Sequence, residues 1–356
     1  MKPRLLFVYL HPSPFVLEDI ALLSAHYEVR PFHFDARRAR SVSGMLQLLQ
    51  AQWQWLHREL AQAKLVVGWF VDYHMVLPVA LAQRWQVPVA AILGGFDCRC
   101  LPPKEGVFCS RWRAALARYV YRRASLLLPV SARLMEMPAT AWTDGLAQGV
   151  RAWVSGLRTP FRVVPTGYDP TSWPMGPEQR PLVVRTVAFV DSERVVYCKG
   201  IDLLFQVAHQ LPEVLFEVVG VAPELRSYVQ RRYAPPSNVV LQPPVPRAAL
   251  AAIYAATSVY VQLSRAEGLP NALCEAMLCG CIPVGSPVFG IPEAIGDAGI
   301  VVEKPDPKAI ALAIQQALSL GPEWRHRARE RIAKHFSREH RATALLEALA
   351  ALCERG

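Results

Sequence analysis

The strongest constraint on the fold is an alternation of short apolar runs with helical patterns along the whole 356-residue chain. In the first half the apolar runs begin at Leu5, Lys64, Pro88, Ser125 and Arg162. A stretch with helical spacing starts at Met45. This alternation is typical of parallel sheets whose strands are joined by crossover helices, so we expect a doubly wound α/β domain.

A proline-rich segment interrupts the pattern. Residues 168–181, YDPTSWPMGPEQRP, contain four prolines and no periodicity, which favours a connection between domains. Five further strand candidates follow it: TVAFV, LFEVVGV, NVVLQ, SVYVQL and CIPVGS. We therefore predict a first domain over residues 1–170, a linker over 171–183, a second α/β domain over 184–335 and a C-terminal helix over 336–356. Packing of that helix on the first domain is left open.

Composition indicates a globular chain, since 52% of the residues are hydrophobic and 19% are charged. No run approaches the roughly 20 apolar residues that a membrane span needs. The apolar run from Leu5 is too short for the core of a signal peptide, so we expect a first strand there and a cytoplasmic protein. The eight cysteines lack metal-site spacing, and we expect them to be reduced, mostly buried and without zinc.

The positive charge is concentrated in one half of the chain. Residues 1–180 hold 21 Lys and Arg against 12 Asp and Glu, a net +9, whereas residues 181–356 hold 18 against 17. Such a field attracts phosphates, anionic glycans or an anionic membrane surface. The charge count does not distinguish these partners.

The segment from 258 to 296 carries the most specific pattern. A strand ends near Leu263, a short loop follows, and a helix begins near Pro270. The N-terminus of such a helix offers backbone N–H groups to an anion at the carboxyl edge of the sheet. A diphosphate is therefore expected near the backbone of Gly268, Leu269, Asn271 and Ala272. Two acids, Glu267 and Glu275, flank this anion site and suit sugar hydroxyls.

These residues resemble glycosyltransferase family 4. The glutamate pair in EGLPNALCEAM is accompanied by KGID at 199–202, FEVVGVAP at 216–223, Ser264 and GIPEAI at 290–295. The resemblance implies a GT-B fold, in which two Rossmann-like doubly wound domains face a central cleft. It also implies a retaining hexosyltransferase that moves a sugar from a nucleotide-diphosphate donor to an acceptor hydroxyl, in polysaccharide or glycolipid biosynthesis.

The resemblance also assigns roles to residues. Glu267 would contact the transferred sugar and Glu275 the ribose, while Lys199 and Arg194 would neutralise the diphosphate. The remaining donor contacts would be Ser264, Gly268, Leu269, Asn271, Ala272, Val245 and Gly220. Because these groups stabilise the leaving diphosphate, neither a metal nor a cofactor is expected.

The first half matches this family more loosely. In VPVAAILGGFD, Gly94 stands where the family has a histidine, and Asp97 is retained. His11 and His74 lie near predicted strand ends, so these three side chains are the acceptor-side candidates. A structural role for each of them is the alternative.

A basic helix is predicted over residues 110–124. Its helical spacing groups Arg111, Arg118 and Arg122 on one face and an apolar strip on another. The apolar strip consists of Trp112, Ala115, Leu116, Tyr119 and Val120. It would either pack into the domain or lie on the inner face of an anionic membrane, which would make the protein peripheral.

Other functions are less well supported by the sequence. A nucleotide-dependent oxidoreductase needs a glycine fingerprint after the first strand, and YLHPSPF has none. A GT-B sugar epimerase, or a catalytically silent scaffold that binds a partner or polyanion, stays open. No nucleic-acid recognition motif accompanies the basic half, so the acceptor is expected to be a glycan, a lipid-linked or a small molecule, with an anionic one open.

Overall fold

The computed structural model describes residues 2–35, 37 and 41–354, which divide into two units. The first unit runs to Glu136 and resumes over residues 148–166 and from Arg341 onward. The second unit comprises Met137–Ala147 and Gly167–His340. Residues 137–147 therefore belong to the second unit, although the sequence analysis placed them within the first domain. One contact that holds them there is the bond from the indole Nε1 of Trp142 to the carbonyl oxygen of Val302, at 3.0 Å.

The first unit contains a five-stranded parallel sheet in the order β2-β1-β3-β4-β5. Its strands are β1 (Arg4–Tyr9), β2 (Glu28–His33), β3 (Ala63–Trp69), β4 (Val89–Leu93) and β5 (Leu126–Pro129). Its helices are α1 (Pro14–Ser24), α2 (Val42–Glu59), α3 (Val76–Arg84), α4 (Arg111–Arg123) and α5 (Val150–Trp153). The strand order reverses between β1 and β3, and ligands of doubly wound sheets bind at such switch points.

Four of the five strands predicted in the first half are confirmed, at β1, β3, β4 and β5. The fifth, RVVPT, is not a regular strand, although its backbone pairs with β5: the N–H of Val164 donates to the oxygen of Pro129 at 2.9 Å. Strand β2 was not predicted. Its sequence, EVRPFH, is not a continuous apolar run, and it contains Pro31, which is tolerated because β2 is an edge strand.

The second unit contains a six-stranded parallel sheet in the order β11-β10-β9-β6-β7-β8. Its strands are β6 (Val183–Val190), β7 (Leu215–Val221), β8 (Val239–Gln242), β9 (Val259–Gln262), β10 (Ile282–Gly285) and β11 (Ile300–Val301). The five predicted strands correspond to β6–β10. The order reverses between β6 and β9, so the loops after these two strands form the expected ligand edge.

Helices connect and cover the strands of this second sheet. They are α6 (Glu193–Cys198), α7 (Ile201–Ala208), α8 (Pro223–Tyr233), α9 (Arg247–Ala255), α10 (Asn271–Leu278), α11 (Ile291–Ile295), α12 (Pro307–Ser319) and α13 (Pro322–His335). A last helix, α14 (Arg338–Cys353), contributes its residues from Arg341 onward to the first unit. Within the described ranges, no helix has the length and apolarity that crossing a bilayer requires.

The proline-rich segment predicted as a linker is packed on the second unit. Trp173 is buried, with its ring 5.7 Å from that of Tyr254. The guanidinium of Arg180 donates to the carbonyl oxygens of Thr257 at 2.6 Å and Cys279 at 2.7 Å. These contacts fix residues 171–183, so their prolines mark an ordered connection.

The cysteines follow the prediction only in part. Cys98, Cys198, Cys274, Cys279 and Cys281 are buried and form no disulfide, as expected of small apolar side chains. Cys100 and Cys109, in contrast, form a disulfide, which the expectation of reduced cysteines missed. The two positions face each other because residues 101 and 105 form a short antiparallel bridge between them.

A buried ion pair fastens α14 within the first unit. Both oxygens of Asp19 accept from Arg341, at 2.6 Å from Nε and 2.5 Å from Nη2, and Trp69 Nε1 donates to Asp19 Oδ2 at 2.7 Å. Arg341 also donates to the carbonyl oxygen of Val164 at 3.0 Å. Asp19 is 1% exposed, so its charge is compensated by this guanidinium and not by water.

Replacing Arg341 by methionine should lower the free energy of unfolding by about 3–5 kcal/mol, because it removes the cation that compensates a buried carboxylate. Urea unfolding monitored by tryptophan fluorescence measures the change. Arg338→Met, on the same helix but half exposed and paired with Asp169, is the control and should change little. Equal effects of the two substitutions would contradict the assignment.

Candidate functional site

Lys199 is placed by a tight crossing of two loops at the switch point of the second sheet. It follows α6 directly, and Gly200 after it has φ +68°. A Cβ at Gly200 would stand 2.0 Å from the carbonyl oxygen of Leu263, so only glycine allows the loops to touch. The N–H of Arg265 donates to the oxygen of Cys198 at 2.8 Å and joins the loops further.

This crossing brings Lys199 against Glu267. One carboxylate oxygen, Glu267 Oε1, accepts from Lys199 Nζ at 2.5 Å, Gln262 Nε2 at 2.8 Å and Ser264 Oγ at 2.9 Å. Gln262 also donates to Ser264 Oγ at 2.7 Å. The side chain of Lys199 is 30% exposed and that of Glu267 12%. A carboxylate and an ammonium are thus held at the carboxyl edge of β9 with access to a ligand.

A second polar group braces the same crossing. The guanidinium of Arg265 makes two bonds to Asp202, at 2.8 and 2.9 Å, and lies 3.9 Å from the ring centroid of Tyr197. It also donates to the carbonyl oxygen of Tyr197 at 2.5 Å. Because Tyr197 belongs to the last turn of α6, Arg265 fixes the end of the helix from which Lys199 extends.

The predicted anion site lies at the start of α10. The first bond of the helical ladder runs from the N–H of Cys274 to the oxygen of Pro270 at 3.1 Å. The N–H groups of Asn271, Ala272 and Leu273 precede that bond and have no acceptor within the helix. Gly268 and Leu269 are buried beside this end, and the oxygen of Gly268 accepts from the N–H of Gly290 at 2.9 Å. These groups have the arrangement that binds phosphate at a helix N-terminus.

Glu275 lies in the second turn of α10 and is 3% exposed. Its Oε1 is 2.8 Å from Nη2 of Arg247, whose guanidinium also lies 5.3 Å from the ring centroid of Trp173. Burial, and then the nearby charges of Glu267 and Glu275, raise the pKa of Tyr260. Both glutamates follow β9 in the chain, Glu267 in the loop after the strand and Glu275 in the helix after that loop.

The other predicted donor residues are placed less uniformly. Gly220 has φ +107°, and a Cβ there would lie 2.1 Å from the carbonyl oxygen of Ala188, so the absence of a side chain allows β6 and β7 to approach here. Val245 is half-buried in the loop between β8 and α9. Arg194 is exposed in the first turn of α6, about 140° around the helix from Lys199. Arg194 and Lys199 therefore do not share a helix face.

Two of the three acceptor-side candidates are buried. Asp97 is 1% exposed and clamps two loops, since Oδ2 accepts from the N–H of Val71 at 3.0 Å and Oδ1 from that of Gly95 at 2.8 Å. Burial raises the pKa of Asp97 to about 6 despite these bonds. His74 is fully buried, and burial lowers its pKa to about 4. Both side chains are enclosed within the first unit, whereas His11 is exposed after β1.

Phe70 explains the glycine at position 94. A Cβ at Gly94 would lie 2.2 Å from Cε1 of the Phe70 ring. Phe70 itself has φ +64°, a strained conformation for a bulky residue, at the carboxyl end of β3. The loops that carry the two residues are those that Asp97 clamps together. An aromatic ring thus fills the space into which a side chain at 94 would project.

The described residues were compared for side chains that could together bind a metal ion. Across residues 2–35, 37 and 41–354, no group of three or more His, Cys, Asp and Glu side chains is arranged to hold a metal ion. The charged pairs at this edge of the sheet include Lys199–Glu267, Arg265–Asp202 and Arg247–Glu275.

Sequence reasoning missed three residues of this edge. Gln262 could have been found as a polar residue that ends the apolar strand SVYVQL. Arg265 stands between Ser264 and Glu267, but its position in the sequence does not indicate that it pairs with Asp202. Arg247 had no local signal, because its partner Glu275 is distant in sequence and only the packing of α9 beside α10 joins them.

Comparison with known proteins agrees with this geometry. Residues 185–335 match the family described as glycosyl transferases group 1. This segment runs from within β6 to the end of α13 and includes Lys199, Glu267 and Glu275. This segment belongs to the group 1 glycosyltransferases. The predicted relationship is thereby confirmed at the level of the group, and membership of family 4 is consistent with it.

One curated relative is a subunit of phosphatidylinositol N-acetylglucosaminyltransferase from Arabidopsis thaliana, which is 29% identical to this chain over 142 residues. That alignment covers 38% of this chain and 32% of the relative. The chain spans about a third of the length of the first curated relatives that it matches.

Solved structures show the same fold over the full chain. Sucrose-phosphate synthase from Thermosynechococcus elongatus has a TM-score of 0.76 at 16% identity and covers 100% of both chains. HepE of Anabaena, in complex with UDP and glucose, has a TM-score of 0.68 at 16% identity over 98% of this chain and 99% of its own. The predicted GT-B fold is confirmed.

Substituting histidine for Gly94 should lower the free energy of unfolding by about 1–3 kcal/mol, because the new side chain overlaps the Phe70 ring. Phe70→Gly in the same chain removes the ring and the positive-φ strain, and should recover most of the loss. Thermal unfolding of the two single variants and the double variant measures the coupling. Additive effects would show that the two positions do not share this space.

Proposed function

We propose that the chain is a retaining glycosyltransferase that transfers a hexose from a nucleotide-diphosphate sugar to an acceptor hydroxyl. The proposal is carried by one observation. Lys199, Glu267 and the N-terminus of α10 meet at the switch point of the group 1 domain, where doubly wound sheets bind ligands. The solved complex of HepE with UDP and glucose supports a nucleotide-sugar donor.

In this proposal the diphosphate binds to the first N–H groups of α10 and to the ammonium of Lys199. The helix dipole and the ammonium both favour anionic oxygen. Glu275, held by Arg247, would accept a hydrogen bond from a ribose hydroxyl, and Glu267 would accept one from the transferred sugar. The three donors on Glu267 Oε1 keep that carboxylate in one orientation before the donor arrives.

Cleavage of the bond between the anomeric carbon and the diphosphate places negative charge on the leaving group. Lys199 and the amides of α10 lie where they would stabilise that charge, so the proposed reaction needs no metal ion. The acceptor hydroxyl would attack from the face that the diphosphate leaves, and a phosphate oxygen would take its proton. The sugar would then keep its anomeric configuration.

The acceptor would be received by the first unit, whose sequence carries most of the positive charge. An anionic acceptor fits this charge, and the Arabidopsis relative is named for phosphatidylinositol. We include in the proposal that the protein works in the cytoplasm beside an anionic membrane. An aromatic surface at Phe70 in place of a histidine would favour contact with an apolar face of the acceptor.

Removing the carboxylate of Glu275 should weaken binding of a nucleoside diphosphate by about 10–100-fold, the usual cost of losing a hydrogen bond to a charged group. Titration calorimetry with UDP, GDP and ADP on Glu275→Gln and the parent chain tests this and identifies the base. Glu224→Gln, an exposed carboxylate in the first turn of α8, is the matched control. Unchanged affinity in Glu275→Gln would exclude the ribose role.

Lys199→Met should lower the turnover number for donor hydrolysis by about 100–1000-fold, as for the loss of one group that stabilises a developing anion. Nucleoside diphosphate release without acceptor provides the assay, and Lys199→Arg should recover part of the rate. Lys308→Met, an exposed lysine of α12, controls for net charge. A catalytically silent scaffold would release nothing in any variant, and an epimerase would convert the sugar without releasing the diphosphate.

Retention is tested on the sugar that is released. Proton NMR in the first minutes of donor hydrolysis, before mutarotation, should show the anomer of the donor itself. Initial appearance of the opposite anomer would contradict the retaining mechanism while leaving the transferase assignment standing.

A further inference from the structure

The helix α4 presents an apolar strip to solvent. Its buried side consists of Ala114, Ala117, Val120 and Tyr121. Trp112 is 56% exposed, Ala115 is exposed, and Leu116 and Tyr119 are half-buried. Among the five residues of the predicted apolar strip, Val120 is the one that is buried in the domain. The rest of the strip is turned wholly or partly to solvent.

Arginines border this strip, and α4 contains no acidic residue. Arg111, Arg122 and Arg123 are exposed, and helical spacing places them on both sides of Trp112 and Tyr119. The guanidinium of Arg123 lies 4.3 Å from the ring centroid of Tyr119, and Arg122 donates to the oxygen of Ser155 at 3.2 Å. Aromatic rings and guanidinium groups thus occupy one outward surface.

A second exposed strip lies on α2. Val42 is 80% exposed, Leu46 61% and Trp53 47%, and all three fall on one helix face. No Asp, Glu, Lys or Arg occurs in this helix before Arg58. Tyr73 packs on the cluster that includes Leu48, on the buried side of α2, and its ring is 5.9 Å from that of Trp112.

We propose that the outward surface of α4 lies in the interface of an anionic lipid bilayer. Trp, Tyr and Arg on an outward helix face are the side chains that enter the headgroup layer. The charge favours lipid over a second copy of the chain, since two surfaces with a net +9 half would repel each other. The inference rests on the proposed function in one respect: membrane binding would bring the transferase to an acceptor at the membrane.

Co-sedimentation with vesicles tests the proposal without turnover. The parent chain should sediment with vesicles of about 30% phosphatidylglycerol in phosphatidylcholine and remain in solution with phosphatidylcholine alone. Trp112→Ala combined with Tyr119→Ala should lower the bound fraction by about tenfold or more. Arg111→Gln combined with Arg122→Gln should weaken binding by about fivefold per arginine at low salt.

Matched controls keep the result specific to this surface. Arg226→Gln with Arg231→Gln removes the same charge from exposed positions of α8, and Leu312→Ala removes a 66% exposed apolar side chain from α12. Both controls should bind vesicles like the parent. If they bind as weakly as the α4 variants, or if the α4 variants bind like the parent, the proposal is overturned.

Two further outcomes separate this inference from the proposed transfer reaction. The α4 variants should retain the parent's affinity for the nucleoside diphosphate, and Glu275→Gln should retain vesicle binding. Light scattering that shows a dimer in the parent and a monomer in Trp112→Ala, with no vesicle binding in either, would assign the surface to self-association and refute a membrane role.

Discussion

Most of the donor edge depends on one carboxylate oxygen, Glu267 Oε1, and on the loop crossing that lets Lys199 reach it. Three donors meet at that oxygen within 2.9 Å. They come from β9, from the loop after it and from the end of α6, so a shift in any of these elements would break the group. Gly200 and Arg265 permit and brace the crossing. The strand order brings the loops after β6 and β9 side by side, because these strands are neighbours whose connections run in opposite directions.

The sequence predicted the parts of this edge that are local. Glu267, Ser264 and the start of α10 lie within one strand–loop–helix unit, so their spacing alone places them together. Lys199 was placed only through the resemblance, because no local spacing relates it to β9. Arg247 and the burial of Asp97 and His74 could not be predicted, since they depend on which elements pack against each other. The disulfide between Cys100 and Cys109 depends in the same way on a turn that the sequence pattern does not reveal.

The two units differ in what they disclose about function. In the second unit the motif, the geometry and the family match coincide over residues 185–335. In the first unit the polar candidates Asp97 and His74 turned inward, and the surface features are aromatic and basic: Phe70 beside Gly94, and Trp112 among the arginines of α4. The proposed acceptor half is thus distinguished by apolar surface and charge more than by reactive side chains.

The most direct test of the donor edge is a crystal structure of the chain with the nucleoside diphosphate that calorimetry selects. The account predicts the diphosphate within hydrogen-bond distance of the backbone N–H groups of Asn271 and Ala272 and of Lys199 Nζ, with the ribose beside Glu275. A diphosphate bound elsewhere, with Lys199 still joined to Glu267 as in the free chain, would contradict it.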